Sequence, residues 1–141
     1  MTLTADLIDG ATVLVDTNPI IYVLEGSRLA ERYTSVFADI AAGRIHAIVT
    51  PVTLAEVVAG PLSHGHEAQA ERYRGALTSS PGWTLCPVDG EIAMLAARIR
   101  NRYRLKLPDA IQVATALQQR CHAIVTHDRD FGRVAEILVL S

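Results

Sequence analysis

The sequence predicts an α/β fold with a doubly wound, mostly parallel five-stranded sheet flanked by helices. Short runs that are apolar throughout alternate with longer segments whose apolar residues recur at helical spacing. The apolar runs are also rich in β-branched residues, as expected of strands buried on both faces. A chain of 141 residues has room for one such domain, so residues 1–141 are expected to form a single unit.

The first half of the chain is predicted to run strand, helix, helix, strand. The first strand is ATVLVD, and a helix is expected to begin after Asp16, with Asn18 as its cap and Pro19 as its first residue. Apolar residues then recur at helical spacing from Leu29 up to Gly43, which predicts a second helix. The run IHAIVT is the predicted second strand.

The middle of the chain is predicted to be an insertion of two helices. The first runs from Thr53 to Ala59, where Thr53 and Glu56 have the spacing of a capping box. The segment GPLSHG is expected to break the chain, and EAQAERYRGALTSS then resembles an exposed, charged helix that ends before Pro81.

Three strands and two helices are predicted for the remainder. WTLCPV is a short third strand, and an amphipathic helix follows between Ile92 and Tyr103. The next helix is LPDAIQVATAL, with Pro108 at its first position and Asp109 among the unpaired backbone N–H groups of its first turn. HAIVTHD and EILVL are the last two strands.

Composition and charge exclude several classes of protein. Thirteen basic against fifteen acidic residues give a net charge of −2, which argues against a general nucleic-acid coat. No apolar run is long enough to span a membrane, and MTLTADLIDG lacks the regions of a signal peptide, so a cytoplasmic protein without a membrane partner is expected. Cys86 and Cys121 lack metal-type spacing and are expected to be buried, reduced thiols.

Four acidic residues form the candidate site. Asp16 ends the first strand, Glu56 and Asp128 follow the second and fourth strands, and Asp109 begins the helix before the fourth. Ligands of such sheets bind beyond the carboxyl ends of the strands, although each acid taken singly also has a capping explanation. Carboxylates that converge there repel one another unless protons or a hard cation offset their charge. Mg²⁺ or Mn²⁺ suits such oxygen ligands and can promote phosphodiester hydrolysis.

Four segments resemble the motif blocks of PIN-domain ribonucleases, in particular the VapC-type toxins of bacterial and archaeal toxin–antitoxin pairs. They are LVDTNPIIYVL, TPVTLAEV, LPDAIQVATAL and IVTHDRDF, and the resemblance spans residues 12 to 140. It implies an endoribonuclease that cleaves tRNA, rRNA or mRNA by a metal-activated water, with Mg²⁺ or Mn²⁺ as cofactor. It also implies a cognate antitoxin and a homodimer, for which the early helices offer the apolar residues Leu24, Leu29, Tyr33 and Phe37.

The resemblance further implies roles for the acids. Asp16, Asp109 and Asp128 would be the principal metal ligands, and Glu56 would bind the metal through water or act as a general base. Two polar residues, Asn18 and Thr126, would orient these ligands. Another acid, Asp130, either joins the metal sphere or has a surface role.

Basic residues are concentrated directly ahead of the acidic helix. Five of them occur in RIRNRYRLK, which is either an ordinary solvated face or a surface for phosphate. Arg102 and Arg104 are the candidate RNA contacts because they are nearest to Asp109 in sequence.

The histidines carry weaker signals. His64 and His66 form an H-x-H in a glycine loop without further nearby ligands, so exposure outweighs a metal role. His127 lies beside Asp128, where either contact with substrate or exposure without function is consistent with the sequence.

The main rival function is a PIN-like module that binds RNA or a protein partner without cutting it. The presence of all four acids favours the enzyme. A phosphoaspartate phosphatase would need a second acid where this chain has Asn18, and no Gly-rich phosphate loop indicates a nucleotide enzyme.

Overall fold

A computed structural model describes residues 2–141, and its five strands form one parallel sheet. The strands are β1 Thr12–Val15, β2 His46–Val49, β3 Trp83–Leu85, β4 Ala123–Val125 and β5 Leu138–Leu140. Their order across the sheet is β3-β2-β1-β4-β5, so the chain winds outward from the central strand in both directions. The predicted doubly wound class is confirmed, and every neighbouring pair of strands is parallel.

Six α-helices and two short 3₁₀ segments connect the strands. The helices are α1 Thr17–Glu25, α2 Thr34–Ala41, α3 Pro51–Ser63, α4 Glu67–Thr78, α5 Gly90–Tyr103 and α6 Leu107–Gln118. The 3₁₀ segments are Arg28–Arg32 and Arg129–Arg133. The predicted order of elements is therefore confirmed, with the strands shorter than their apolar runs because only part of each run pairs with a neighbour.

Alternate residues of the central strand build two separate cores. Val13 and Val15 face a core shared with α1 to α4, whereas Leu14 faces a core shared with α5 and α6. All three side chains are fully buried, which is the burial of a central strand covered on both faces. The carboxyl ends of β1, β2 and β4 therefore open at the same edge between two layers of helices.

Two predicted helix starts were wrong by a few residues. Helix α1 begins at Thr17, and its N-cap is Asp16. Asn18 is therefore not the cap, and Pro19 is not the first helical residue. Helix α3 begins at Pro51, and its capping box joins Thr50 to Thr53, which leaves the Glu56 side chain free of any capping role. In both cases the helix starts directly at the strand end, since the parallel strands stop there.

Two proline positions also differ from the prediction. Helix α3 continues through GPLS to Ser63, although Pro61 interrupts its backbone hydrogen bonding. Pro61 is buried. In α6 the first helical residue is Leu107, so Pro108 is the second.

Among residues 2–141, no helix is long and apolar enough to cross a membrane.

Candidate active site

An acidic pocket of about 200 Å³ lies beyond the carboxyl ends of the central strands. All four predicted acids line this pocket, each contributed by a different segment of the chain. Its lining residues are Asp16, Thr17, Asn18, Glu56, Lys106, Pro108, Asp109 and Asp128. The prediction that these distant acids converge is therefore confirmed as geometry.

Asp16 is the most firmly held of the four carboxylates. Its side chain is 6% exposed and makes no capping hydrogen bond to α1. Instead, Oδ2 accepts a hydrogen bond from the Thr126 hydroxyl at 2.7 Å, and Oδ1 accepts one from Gln112 Nε2 at 3.2 Å. The backbone N–H of Asp16 donates to the Val125 carbonyl at 2.9 Å, which joins the ends of β1 and β4. One carboxylate thus has both oxygens oriented by buried partners.

Gln112 is a site residue that the sequence analysis missed. It is 1% exposed, and besides Asp16 its Nε2 contacts the Thr53 hydroxyl at 2.8 Å. Its Oε1 accepts a hydrogen bond from the Thr50 hydroxyl at 2.7 Å. The amide thus joins α6 to the start of α3 and to the end of β1. The available signal was a polar residue three positions after Asp109 on an otherwise apolar helix, a spacing that shares one helix face.

The surroundings of Asp109 disfavour its ionised form. Burial raises the pKa of Asp109 to about 6, and the neighbouring carboxylates of Asp16, Asp128 and Glu56 add to the rise, while Lys106 opposes it. Its Oδ2 is buried without a hydrogen-bond partner among residues 2–141. A buried acceptor without a partner is costly, so this oxygen is suited to a ligand that carries positive charge.

Thr126 and Thr17 support the other two acids. The buried Thr126 hydroxyl, which donates to Asp16, also accepts the backbone N–H of Asp128 at 3.0 Å. The Thr17 hydroxyl donates to Glu56 Oε1 at 2.8 Å, a contact that the sequence analysis did not anticipate. Asn18 lines the pocket, but in residues 2–141 no hydrogen bond joins its side chain to a carboxylate.

The donor set fits a hard divalent cation. Every acidic group in the pocket offers oxygen, and the unpartnered Asp109 Oδ2 lies among them. Within residues 2–141, no three His, Cys, Asp or Glu side chains are spaced to hold a metal ion by themselves. Mg²⁺ usually keeps several waters and binds through one or two carboxylates.

Comparison with known protein families matches residues 13–137 to the PIN domain. The chain belongs to the PIN domain family. No curated protein sequence matches this PIN domain significantly.

Solved structures with the same fold include several toxins. A toxin–antitoxin complex from Klebsiella pneumoniae is 28% identical with a TM-score of 0.71, covering 92% of this chain and 96% of that chain. FitAcB from Neisseria gonorrhoeae is 22% identical at a TM-score of 0.71, with coverage of 92% and 96%. VapC20 from Mycobacterium tuberculosis, described as a sarcin–ricin loop cleaving toxin, is 14% identical at 0.73, with coverage of 92% and 99%. The resemblance to VapC-type toxins is confirmed.

The two candidate RNA contacts lie outside the acidic pocket of this PIN domain. Arg102 pairs with Glu136 at 3.3 Å, and its guanidinium lies 5.3 Å from the centroid of the Tyr103 ring. Arg104 ends α5 in a left-handed conformation with φ of 55° and lines a different pocket. Lys106 is the basic residue of RIRNRYRLK that lines the acidic pocket.

Other predicted features of the PIN domain have structural partners of their own. The Asp130 carboxylate pairs with Arg133 at 3.1 Å and does not line the acidic pocket, which favours its surface role. His64 Nδ1 lies 2.9 Å from the Gly60 carbonyl, and its ring stacks on His66 at 5.9 Å between centroids. Both cysteines are free thiols, Cys86 buried and Cys121 half-buried.

The apolar residues of the early helices divide into two groups. Tyr33 is fully buried, so it belongs to the core and offers no surface to a second copy. Leu29 is 47% exposed, whereas Leu24 and Phe37 line an apolar cavity of about 380 Å³. Apolar surface for association is therefore present on α1, on the first 3₁₀ segment and on α2 without Tyr33.

Proposed function

We propose that this PIN domain is a metal-dependent endoribonuclease that acts as the toxin of a toxin–antitoxin pair in the cytoplasm. The convergence of four carboxylates on one pocket carries the proposal, since like charges held close together repel one another unless a cation or protons offset them. They are Asp16, Glu56, Asp109 and Asp128. Burial, and after it the neighbouring carboxylates, raise the pKa of Asp109, and a bound cation would offset this cost to its ionised form.

Asp16, Asp109 and Asp128 are the proposed metal ligands, with one or two of them bound directly and the others through water. Mg²⁺ or Mn²⁺, when bound, would neutralise charge on the phosphate and make water a stronger nucleophile. Thr126 and Gln112 hold the Asp16 carboxylate in one orientation, and Thr126 also fixes the backbone at Asp128. Such support preserves ligand geometry when substrate enters.

Glu56 is the proposed general base. The Thr17 hydroxyl occupies its Oε1, which orients the carboxylate at the rim of the pocket. Glu56 would accept a proton from the attacking water while the phosphorus–oxygen bond on the opposite side breaks. Lys106, exposed at the same rim, is placed to attract the phosphate that approaches this acidic surface.

An antitoxin partner is proposed from the assemblies in which similar folds occur. The Klebsiella structure is a toxin–antitoxin complex, and the fold neighbour from Rickettsia felis, VapBC2, is bound to promoter DNA. We propose that an antitoxin covers the acidic pocket of this chain. We also propose that α1, the first 3₁₀ segment and α2 form a homodimer interface through Leu24, Leu29 and Phe37 respectively. Equilibrium sedimentation that shows only monomer at micromolar concentration would exclude the dimer.

Cleavage by the partner-free protein tests the proposed function. The wild type should cut total RNA with Mg²⁺ or Mn²⁺ and lose activity in EDTA, and Asp16→Asn and Asp109→Asn should abolish cutting. Asp9→Asn is a matched control because its side chain is 86% exposed and remote from the pocket. Full cleavage by Asp16→Asn would show that the assigned centre is wrong. An RNA mobility shift without cleavage in Mn²⁺ would indicate the noncutting module instead.

A further inference from the structure

A second cavity adjoins the acidic pocket and shares Asp128 with it. This basic cavity has a volume of about 400 Å³ and is lined by Arg32, His127, Asp128, Arg129, Gly132, Val139 and Ser141. Its volume lies within the range of roughly 300–1,000 Å³ that is usual for small-ligand pockets. A group bound in the basic cavity would lie next to whatever occupies the acidic pocket.

An exposed aromatic ring at the rim of the basic cavity is held rigidly. His127 Nδ1 lies 2.8 Å from the Tyr22 hydroxyl, and the two rings meet edge to face at 5.5 Å between centroids. The fully buried Tyr33 supports the same imidazole at 6.3 Å. A ring that is exposed to solvent yet fixed by two tyrosines can stack on a flat ligand with little loss of conformational entropy.

Positive charge accompanies this ring. Arg129 lies two positions after His127, and in residues 2–141 no carboxylate is within ion-pair distance of its guanidinium. The nearby Arg133, by contrast, is paired with Asp130. Arg32 reaches the cavity from the first 3₁₀ segment, and its Nη2 donates to the Ser141 carbonyl at 2.6 Å. Arg129 is thus the cation of the cavity that is available to an anion.

We infer that the basic cavity binds the nucleotide next to the scissile phosphate of a single-stranded RNA, an inference that rests on the proposed ribonuclease function. The base stacks on His127, and its phosphate is held by Arg129. Unpaired RNA bases commonly stack on aromatic side chains and on guanidinium planes, whereas a base inside a duplex has no free face. His127 and Arg129 are therefore substrate-binding residues, and the stacked nucleotide is unpaired.

The residues that line the basic cavity favour RNA over a peptide segment of a protein partner. Val139 is the single aliphatic side chain among the residues that line the basic cavity, so an apolar peptide anchor would bury little surface there. A nucleotide matches the combination of one flat ring, one free guanidinium and the shared edge with the acidic pocket.

Fluorescence of 2-aminopurine in a 12-nucleotide single-stranded RNA tests the stacking. In EDTA, where no cleavage is expected, the wild type should quench the probe at one position of a scanned series. His127→Phe and Tyr22→Phe should retain the quenching because both keep the ring, whereas His127→Ala should lose it and weaken binding roughly 5- to 150-fold. His122→Ala is the matched control. His122 is exposed and directly precedes β4, so it lies at the amino-terminal ends of the strands, away from the basic cavity.

The phosphate contact is tested by salt dependence. Arg129→Gln should weaken binding to all sequences and reduce the slope of log affinity against log salt by roughly 0.7 for a single strand. Arg120→Gln removes the same charge near the opposite, amino-terminal end of β4 and should leave that slope unchanged.

Two results would overturn the inference. One is unchanged quenching in His127→Ala. The other is loss of quenching in His127→Phe and Tyr22→Phe as well as in His127→Ala, which would show that the Tyr22 hydrogen bond only anchors the loop.

A cleavage assay separates this inference from the proposed function. Cleavage with an unchanged KM in His127→Ala refutes the cavity alone, whereas position-specific quenching without any cleavage in Mn²⁺ refutes the nuclease and leaves the binding site.

Discussion

Gln112 Nε2 donates a hydrogen bond to Asp16 Oδ1 across 96 positions of sequence, and both side chains are buried. The same amide serves Thr50 and Thr53, so its removal leaves several buried polar groups without a partner. We expect Gln112→Leu to lower the free energy of unfolding by about 1–3 kcal/mol and to reduce cleavage roughly 10- to 100-fold.

Urea denaturation and single-turnover cleavage measure these two effects of Gln112→Leu separately. Gln118→Leu makes the same change at an exposed position of the same helix and should alter neither. Wild-type cleavage by Gln112→Leu would contradict a positioning role for the amide.

Asp109→Asn is expected to stabilise the protein in EDTA while it abolishes cleavage. The pKa of Asp109 is raised from 3.8 to about 6, so the fold favours its neutral form and its ionisation destabilises the fold as pH rises through that window. After a discount for partial solvent screening, the gain from Asn at pH 7.5 should be about 1–2 kcal/mol.

The pH dependence of that gain checks its origin. Unfolding by urea at several pH values should show the full advantage of Asp109→Asn above pH 6 and none below about pH 4, where the carboxyl is protonated in both states. Asp9→Asn should show no such pattern. An advantage that persists at low pH would mean that ionisation of Asp109 is not its cause.

Divalent cation should raise the melting temperature of the wild type through the acidic pocket. Binding to the folded state alone stabilises by mass action, about 2.7 kcal/mol at 100 times the Kd. Thermal denaturation with increasing Mn²⁺ should show this rise in the wild type and a much smaller one in Asp109→Asn. Equal rises in both proteins would place the cation elsewhere.

Thr126→Val should impair the site more than its small change in volume suggests. The hydroxyl donates to Asp16 and accepts from the Asp128 backbone, and valine leaves both buried groups without that partner. We expect a loss of about 1–3 kcal/mol of stability and at least a tenfold loss of cleavage. Thr126→Ser restores the hydroxyl and should recover most of the activity, and failure of that rescue would assign the effect to packing.

Asp39 offers a pH effect on stability that is independent of the candidate site. Hydrogen bonds from Arg44, at 2.9 Å, and from Thr4 lower the pKa of Asp39 below 3.8. Its contribution is therefore complete above pH 3.8 and is lost as pH falls through the lower folded value. Asp39→Asn should cost about 1 kcal/mol at pH 7 and progressively less as pH falls below 3.8, without altering cleavage. Chemical denaturation across a series of pH values measures this, and a cost that stays constant throughout the acid range would contradict it.

The sequence predicted the fold class because its signals are local. Short β-branched runs such as those around Val13 and Ile48 are typical of strands buried on both faces, and the helices that alternate with them favour a parallel sheet. Asp16, Glu56 and Asp128 follow such strands closely, and the geometry of a parallel sheet brings those ends to one edge. Their convergence was predictable for that reason.

Helix starts and hydrogen-bond partners were less predictable. Asn18 was the expected cap because Asn precedes Pro19, but the chain already turns into α1 at Asp16 where β1 stops. Arg102 and Arg104 were nearest to Asp109 in sequence, yet only Lys106 of that basic segment lines the pocket because α5 ends at Tyr103 and Arg104 reverses the chain. Proximity along the chain does not fix the direction of a side chain across a turn.

The sequence by itself therefore determined the layered architecture and the four acids at the carboxyl ends of its strands, since periodicity and strand ends depend on residues that are close together in sequence. Only the tertiary structure decided which polar groups support them. Asp16 meets Gln112 and Thr126 across 96 and 110 positions, and a hydrogen bond at that separation depends on how α6 and β4 pack around β1. The same packing fixed His127 against Tyr22 and exposed it beside Asp128, a placement that no local pattern encodes.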